Sequence, residues 1–150
     1  MPHQLLLATR NKGKIEEFRR ILEAIAPGQI ELLGLDKFPE LHDVVEDGKT
    51  FQENALKKAR EMSLATGLPA IADDSGLCVD ALNGDPGIFS ARWAGSHGDD
   101  QANTAKVLTQ LLDVPDEKRS AHFTCVAALY LPDGRSHSEE AHFDGWILRA

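Results

Sequence analysis

Thr9-Arg10-Asn11-Lys12-Gly13-Lys14 concentrates hydrogen-bond donors and positive charge in one short stretch of an otherwise acidic chain. An apolar run, Leu5-Leu6-Leu7-Ala8, precedes it, and a segment with helical spacing comes directly after. A strand–loop–helix junction of this kind leaves backbone amides without intrahelical partners at a helix N-terminus, where anions are favoured. Gly13 lets the backbone approach a ligand closely, while Thr9, Asn11, Lys12 and Lys14 add donors or charge. The P-loop pattern G-x-x-x-x-G-K-[ST] is absent. Taken alone, the segment reads more readily as an exposed basic turn.

A second candidate is Asp73-Asp74-Ser75-Gly76, which succeeds the apolar run Pro69-Ala70-Ile71-Ala72. Carboxylates at the C-terminal edge of an α/β sheet stand where such folds bind ligands. If the strand persists, the two aspartates point to opposite faces, one toward a site and one supporting the turn. Oxygen ligands of this type suit Mg²⁺, which binds through one or two protein carboxylates and substrate phosphates. An Asp-rich turn is the plainer alternative. A haloacid-dehalogenase phosphatase would need Asp-x-Asp, and Ser75 occupies the place of the second aspartate. The third candidate, Glu46-Asp47-Gly48, reads alone as solvated loop. Together the three groups could hold phosphates and a cation, as metal-assisted attack of water on a phosphoanhydride requires. No Ser/His/Asp or Cys/His arrangement supports a covalent route.

Spacing and turn chemistry predict the scaffold around these residues. Ile15, Phe18, Ile21 or Leu22, and Ile25 recur at three- and four-residue steps, which predicts a helix closed by Pro27-Gly28. Ile30 to Leu33 reads as a strand, and residues 35–48 as an acidic loop. Thr50 and Glu53 form a capping box. The helix it opens is expected to run through Ala55, Ala59 and Met62 to about Thr66 and to stop at Gly67. The Pro69–Ala72 strand is expected to end abruptly at Asp73. Residues 83–98, rich in Gly and Pro, form a long loop. Asp99 or Asp100 caps a third helix, with Ala102, Ala105, Leu108, Leu111 and Leu112 on its apolar side. Ala121 to Leu131 is a strand with Phe123, Cys125, Ala127 and Leu129 on one face, and Pro132-Asp133-Gly134-Arg135 turns it into a partner over 136–148. Strands alternating with helices, then a hairpin, define an α/β domain with a mixed β-sheet flanked by helices.

Bulk properties narrow the functions. A chain of 150 residues can bury a core without staples. The net charge of −8, from 24 acidic and 16 basic residues, speaks against a protein that coats nucleic acid. No run reaches the apolar length of a membrane helix, and Met1-Pro2-His3-Gln4 lacks a signal-peptide pattern. Cys78 and Cys125 share no metal-binding spacing, so both are expected to be buried free thiols in a reducing, cytoplasmic setting. None of the six histidines has a zinc-type arrangement, and His137 and His142 are expected to face solvent.

In sequence order, Thr9-Arg10-Asn11-Lys12-Gly13-Lys14, Glu46, Thr50-Phe51-x-Glu53-Asn54-Ala55 with Lys58-Ala59, Ala72-Asp73-Asp74-Ser75-Gly76-Leu77, and Pro86-Gly87-x-x-Ser90-Ala91-Arg92 resemble the inosine/xanthosine triphosphate pyrophosphatases (dITP/XTP pyrophosphatases). The motifs cover nearly the whole chain. The resemblance implies hydrolysis of the α–β phosphoanhydride of ITP, dITP and XTP, with Mg²⁺ as cofactor and a homodimer as the assembly. It implies that Thr9, Arg10, Asn11, Lys12, Gly13 and Lys14 embrace the triphosphate, that Lys58 assists, and that Ser75 touches substrate. Asp74 would activate water and contact the metal, and Glu46 would be a metal ligand. The loop Asn11-x-Gly13-Lys14 resembles the purine family more than the related Maf-like pyrimidine pyrophosphatases. Members of the family continue into Phe-Gly-Tyr-Asp-Pro and Ser-His-Arg segments that read the base, and neither occurs here. Residues 1–150 are therefore expected to form a single ITPase-like domain lacking its C-terminal part. The alternative is a nucleotide-binding remnant without catalysis.

Overall fold

A computed structural model describes residues 2–149. Its regular elements are β1 (His3–Leu7), α1 (Lys12–Ile25), β2 (Ile30–Gly34), α2 (Phe51–Thr66), β3 (Ala70–Val79), α3 (Asp100–Gln110), β4 (Ser120–Tyr130) and β5 (Ser136–Trp146). Single 3₁₀ turns occupy Leu35–Lys37, Asp80–Leu82, Gly87–Arg92 and Asp116–Lys118. The strands form one sheet in the order β2-β1-β3-β4-β5. β1 runs parallel to both β2 and β3, with Leu6 opposite Leu33 and Ala70, and Leu7 opposite Gly34 and Ile71. β4 and β5 form a hairpin, so the sheet is mixed.

The chain divides into two compact units, one of residues 1–48, 52–73 and 127–139, the other of residues 49–51, 74–126 and 140–150. In the first, the alternation of β1 separates two apolar clusters. Leu6 joins Leu35, Met62 and Ala70, whereas Leu7 joins Ile15 and Leu32. The sheet here has α2 on one face and α1 on the other. A Cβ on Gly34 would collide with the Ile15 Cδ1, so glycine here lets that side chain keep its place against the sheet. In the second unit Val79, Val107, Leu111 and Ala121 form the buried cluster, with Trp93, Val114 and Ile147 against it.

That second cluster is tied by Arg119, which is only 2% exposed. Its guanidinium donates to the carbonyls of Leu111 at 2.5 Å, Ile147 at 2.9 Å and Leu148 at 3.1 Å. Leu111 caps the C-terminus of α3, where a cation also complements the helix dipole.

Several sequence expectations are corrected. β3 does not end at Asp73 but runs on to Val79, so Asp73-Asp74-Ser75-Gly76 is strand and not turn. Ile25 is exposed, and α1 buries Ile15 with Phe18 and Leu22 partly covered. α3 buries Asn103, Val107 and Leu111 on one stripe, leaving Ala105 and Leu112 outside. Asn103 holds its place because its side chain donates to the Ala91 carbonyl and accepts from the Ala94 amide. In β4 the buried residues are Ala121, Thr124, Val126 and Ala128, while Phe123 and Cys125 are exposed. Cys78 is buried and free as expected, but Cys125 is not buried, because it falls on the opposite side of the strand from Thr124 and Val126. His137 and His142 face solvent, and each sits beside a glutamate on its own strand.

Candidate functional site

The loop after β1 is shaped by its own side chains. The Thr9 amide donates to the Leu7 carbonyl and the Asn11 amide to the Thr9 hydroxyl, a local turn that ends the strand. Asn11 is the N-cap of α1, its side-chain oxygen accepting from the Lys14 amide at 3.2 Å. The amides of Lys12 and Gly13 belong to the first helical turn, where no intrahelical carbonyl meets them. No acidic residue stands in that turn to oppose an incoming anion. A Cβ on Gly13 would sit 3.2 Å from the Asn11 side-chain oxygen, so glycine leaves the cap undisturbed.

Arg10 turns away from this turn. Its guanidinium donates to the carbonyls of Leu35 and Leu41 and approaches Asp43 at 3.5 Å, which pins the 35–43 segment to the end of β1. That segment leads to Glu46, whose carboxylate meets the Lys58 ammonium at 3.0 Å. Lys58, on α2, also donates to the Asp73 carbonyl at 2.5 Å. Two residues beyond Glu46, the Gly48 amide donates to the Asn54 side chain at 2.7 Å, and a Cβ on Gly48 would lie 2.6 Å from that oxygen. Lys57 pairs with Asp47 at 2.7 Å, and its hydrogen bond holds the Asp47 carboxyl below the usual carboxylate range.

β3 overshoots its parallel partner: β1 ends at Leu7 opposite Ile71, and β3 continues through Asp73. The sheet's C-terminal edge is thus retained even though the strand does not stop there. Alternation puts the Asp73 side chain on the face that Ile71 shares with α1, and the Lys14 ammonium meets it at 3.1 Å. Thr9 to Lys14, Glu46, Lys58 and Asp73 are therefore neighbours within the first unit. Asp74 and Ser75 open the second unit's stretch of β3, Asp74 buried at 9% exposure and Ser75 exposed. Asp74 points to the strand face opposite Asp73.

Beyond Ser75, β3 is locked against the turn at residues 87–90. Ser90 accepts from the Leu77 amide at 2.9 Å and donates to the Gly87 carbonyl at 2.6 Å. A Cβ on Gly76 would collide with that carbonyl oxygen and lie 2.7 Å from the Ser90 hydroxyl. Gly76→Ala therefore forces the 87–90 turn off β3, with an expected loss of about 1–3 kcal/mol from overpacking. Denaturant melts of the variant check this; a wild-type midpoint would contradict it. Three contributors had no role assigned by sequence: Asp73 as the Lys14 partner, Asn54 as the holder of Gly48, and Ser90 as the lock on β3. Asn54 and Ser90 lay within recognised motifs, but only their hydrogen bonds reveal what they do.

Fold and site together define an α/β protein with a cationic, helix-capping loop at the C-terminal edge of its parallel strands. Within that class the chain belongs to the Ham1 family, whose model matches residues 5–150. It is 58% identical over 147 residues to a dITP/XTP pyrophosphatase of Streptomyces coelicolor, spanning 98% of this chain and 73% of that protein. A Geobacter sulfurreducens protein of the same name is 50% identical over 145 residues, covering 97% and 71% of the two chains. Among solved structures, the nucleoside-triphosphatase / dITP/XTP pyrophosphatase of Mycobacterium abscessus superposes with a TM-score of 0.87 at 49% identity, over 97% of this chain and 75% of that one. A HAM1 protein from Coxiella burnetii gives 0.88 at 38% identity, over 99% and 74%.

Proposed function

We propose that the chain hydrolyses non-standard purine nucleoside triphosphates (dITP, ITP and XTP) to the monophosphate and pyrophosphate, clearing damaged purines from the nucleotide pool. The observation that carries this reading is identity of half or more, across nearly the whole chain, to proteins named dITP/XTP pyrophosphatase. The site chemistry agrees with it. Thr9, Asn11, Lys12, Gly13 and Lys14 take the phosphates with amides, hydroxyl and ammonium, and Lys58 adds a second charge. Arg10 serves the same loop by fixing the 35–43 segment. Ser75, exposed on β3, contacts substrate.

Asp74 acts as the base that takes a proton from the attacking water, which then reaches the α-phosphorus. The leaving pyrophosphate carries its charge toward the lysines. Glu46 and Asp74 are the residues that would hold Mg²⁺. Both are hard oxygen donors, and among the described residues no cluster of three or more His, Cys, Asp or Glu forms a ready-made cage. Hard oxygen donors of this kind suit Mg²⁺, whose coordination is completed by phosphate and water. When bound, the ion would neutralise phosphate charge and polarise the phosphoanhydride. We further propose a cytoplasmic homodimer, an assembly that the family resemblance implies.

The test is Mg²⁺-dependent pyrophosphate release from dITP and XTP set against dATP. Lys14→Ala is expected to raise KM about 10- to 100-fold, the loss of one hydrogen bond to a charged group. A wild-type KM would reduce the loop to a solvated basic turn.

A further inference from the structure

We propose that Asp73 is the counter-ion that Lys14 surrenders to the substrate, so that this carboxylate sets how tightly triphosphate and product pyrophosphate are held. The inference rests on the reading of the Thr9–Lys14 loop as the phosphate cradle. The Lys14 ammonium sits 3.1 Å from the Asp73 Oδ2, with the lysine side chain 45% exposed and the aspartate side chain 17% exposed. The lysine is accessible; the aspartate is fixed. Asp73 is held in β3, and its carbonyl accepts from Lys58. Lys14 is one residue beyond Gly13 on a flexible four-carbon stem, and its own amide is anchored to the Asn11 cap.

A phosphate arriving at the first turn of α1 must compete with Asp73 for the same ammonium. The exchange replaces one anion with another, so Lys14 is never left as an isolated cation. When pyrophosphate leaves, Asp73 recaptures the ammonium. This role differs from that of Asp74, which faces the other side of the strand and is assigned to water and metal. It differs also from that of Glu46, which pairs with Lys58 and is itself assigned to the metal. Asp73 is a positioning residue: it acts through Lys14, and its substitution should strengthen anion binding only while Lys14 is present.

The probe is inorganic pyrophosphate, titrated calorimetrically into the purified chain with EDTA present and no divalent ion. Asp73→Asn, close to isosteric, is expected to bind it about two- to tenfold more tightly than wild type, because a partly exposed ion pair no longer competes. The gain should vanish in Lys14→Ala/Asp73→Asn, as a double-mutant cycle requires if the effect passes through Lys14. Unchanged or weaker binding by Asp73→Asn, or a gain that survives loss of Lys14, overturns the proposal. Pyrophosphate binding that Lys14→Ala leaves intact would sink the phosphate-cradle reading itself. Binding lost in Lys14→Ala but not tightened in Asp73→Asn would sink the counter-ion alone. Thermal melts of each variant show that any change in binding is not a folding defect.

Discussion

Asp74→Asn is expected to lower the rate of pyrophosphate release by about 10²–10⁴-fold, the usual cost of removing a general base. The side chain is nearly enclosed, at 9% exposure, in a strand segment whose continuation is locked by Ser90 against Leu77 and Gly87. Asparagine keeps the shape and the hydrogen-bonding oxygen but cannot accept the proton. Triphosphate binding should survive, since the Thr9–Lys14 loop belongs to a different segment of the chain. The measurement is a pair: steady-state turnover, and binding of a non-hydrolysable triphosphate to the same preparation. Near-normal turnover would move the catalytic role elsewhere, first to Asp73. Lost binding with lost turnover would mean that Asp74 holds the ligand and not the proton.

The largest expected effect on stability comes from Arg119→Met. Methionine preserves the apolar stem, so the loss is confined to the guanidinium and its hydrogen bonds to Leu111, Ile147 and Leu148. Three carbonyls then lose a charged donor, that of Leu111 in a buried bond and the other two in part-buried ones, at an expected cost of about 3–5 kcal/mol. At about 2–4 °C per kcal/mol for a chain of this size, the melting temperature should fall by roughly 6–20 °C. Arg119→Lys should recover only part of the loss, because one ammonium cannot match the planar fork that reaches all three oxygens. A shift below about 2 °C for Arg119→Met, less than 1 kcal/mol, would show that the clamp contributes little.

Much of the first unit was legible because its signals are local. The junction at Thr9 to Lys14 was legible from the apolar run before it and the helical spacing after it, and α1 begins there, at Lys12. The capping box at Thr50 and the stop at Gly67 bracket a helix through Ala55, Ala59 and Met62, and α2 spans Phe51–Thr66. The turn at Pro132-Asp133-Gly134 announced the hairpin. Two kinds of information were hidden. Asp73-Asp74-Ser75-Gly76 carries turn-favouring residues, yet tertiary pairing and the Ser90 hydrogen bond hold it as strand, overriding local propensity. In β4 both faces carry apolar residues, so period two gives the alternation without saying which side is inside. Cys125 was misplaced for that reason. Asn103 was missed for another: a buried amide satisfied by Ala91 and Ala94 has no apolar signature.

Within the site, residue types and order identified the loop, the lysine and the acidic pair, but not their pairing. Nothing in the string of letters says that Lys14 meets Asp73 and not Asp74. That depends on which face of β3 each carboxylate occupies, and hence on the sheet.

The extension of β3 past the end of β1 has a consequence for how the site could be altered. Leu7 stands opposite Ile71, and every later side chain in β3 inherits its face by counting from there. The two carboxylates are chemically identical, so parity alone separates them: Asp73 shares the strand face of Ile71 and Asp74 has the opposite one. Inserting one residue between Ala72 and Asp73, with Ala70 and Ala72 keeping their apolar contacts, would conserve every functional letter and still exchange the strand faces of Asp73 and Asp74. A strand tolerates shifts of two far better than shifts of one. Homologues can therefore keep the chemistry only where the count from the buried start of this strand to the carboxylates keeps its parity or a bulge restores it.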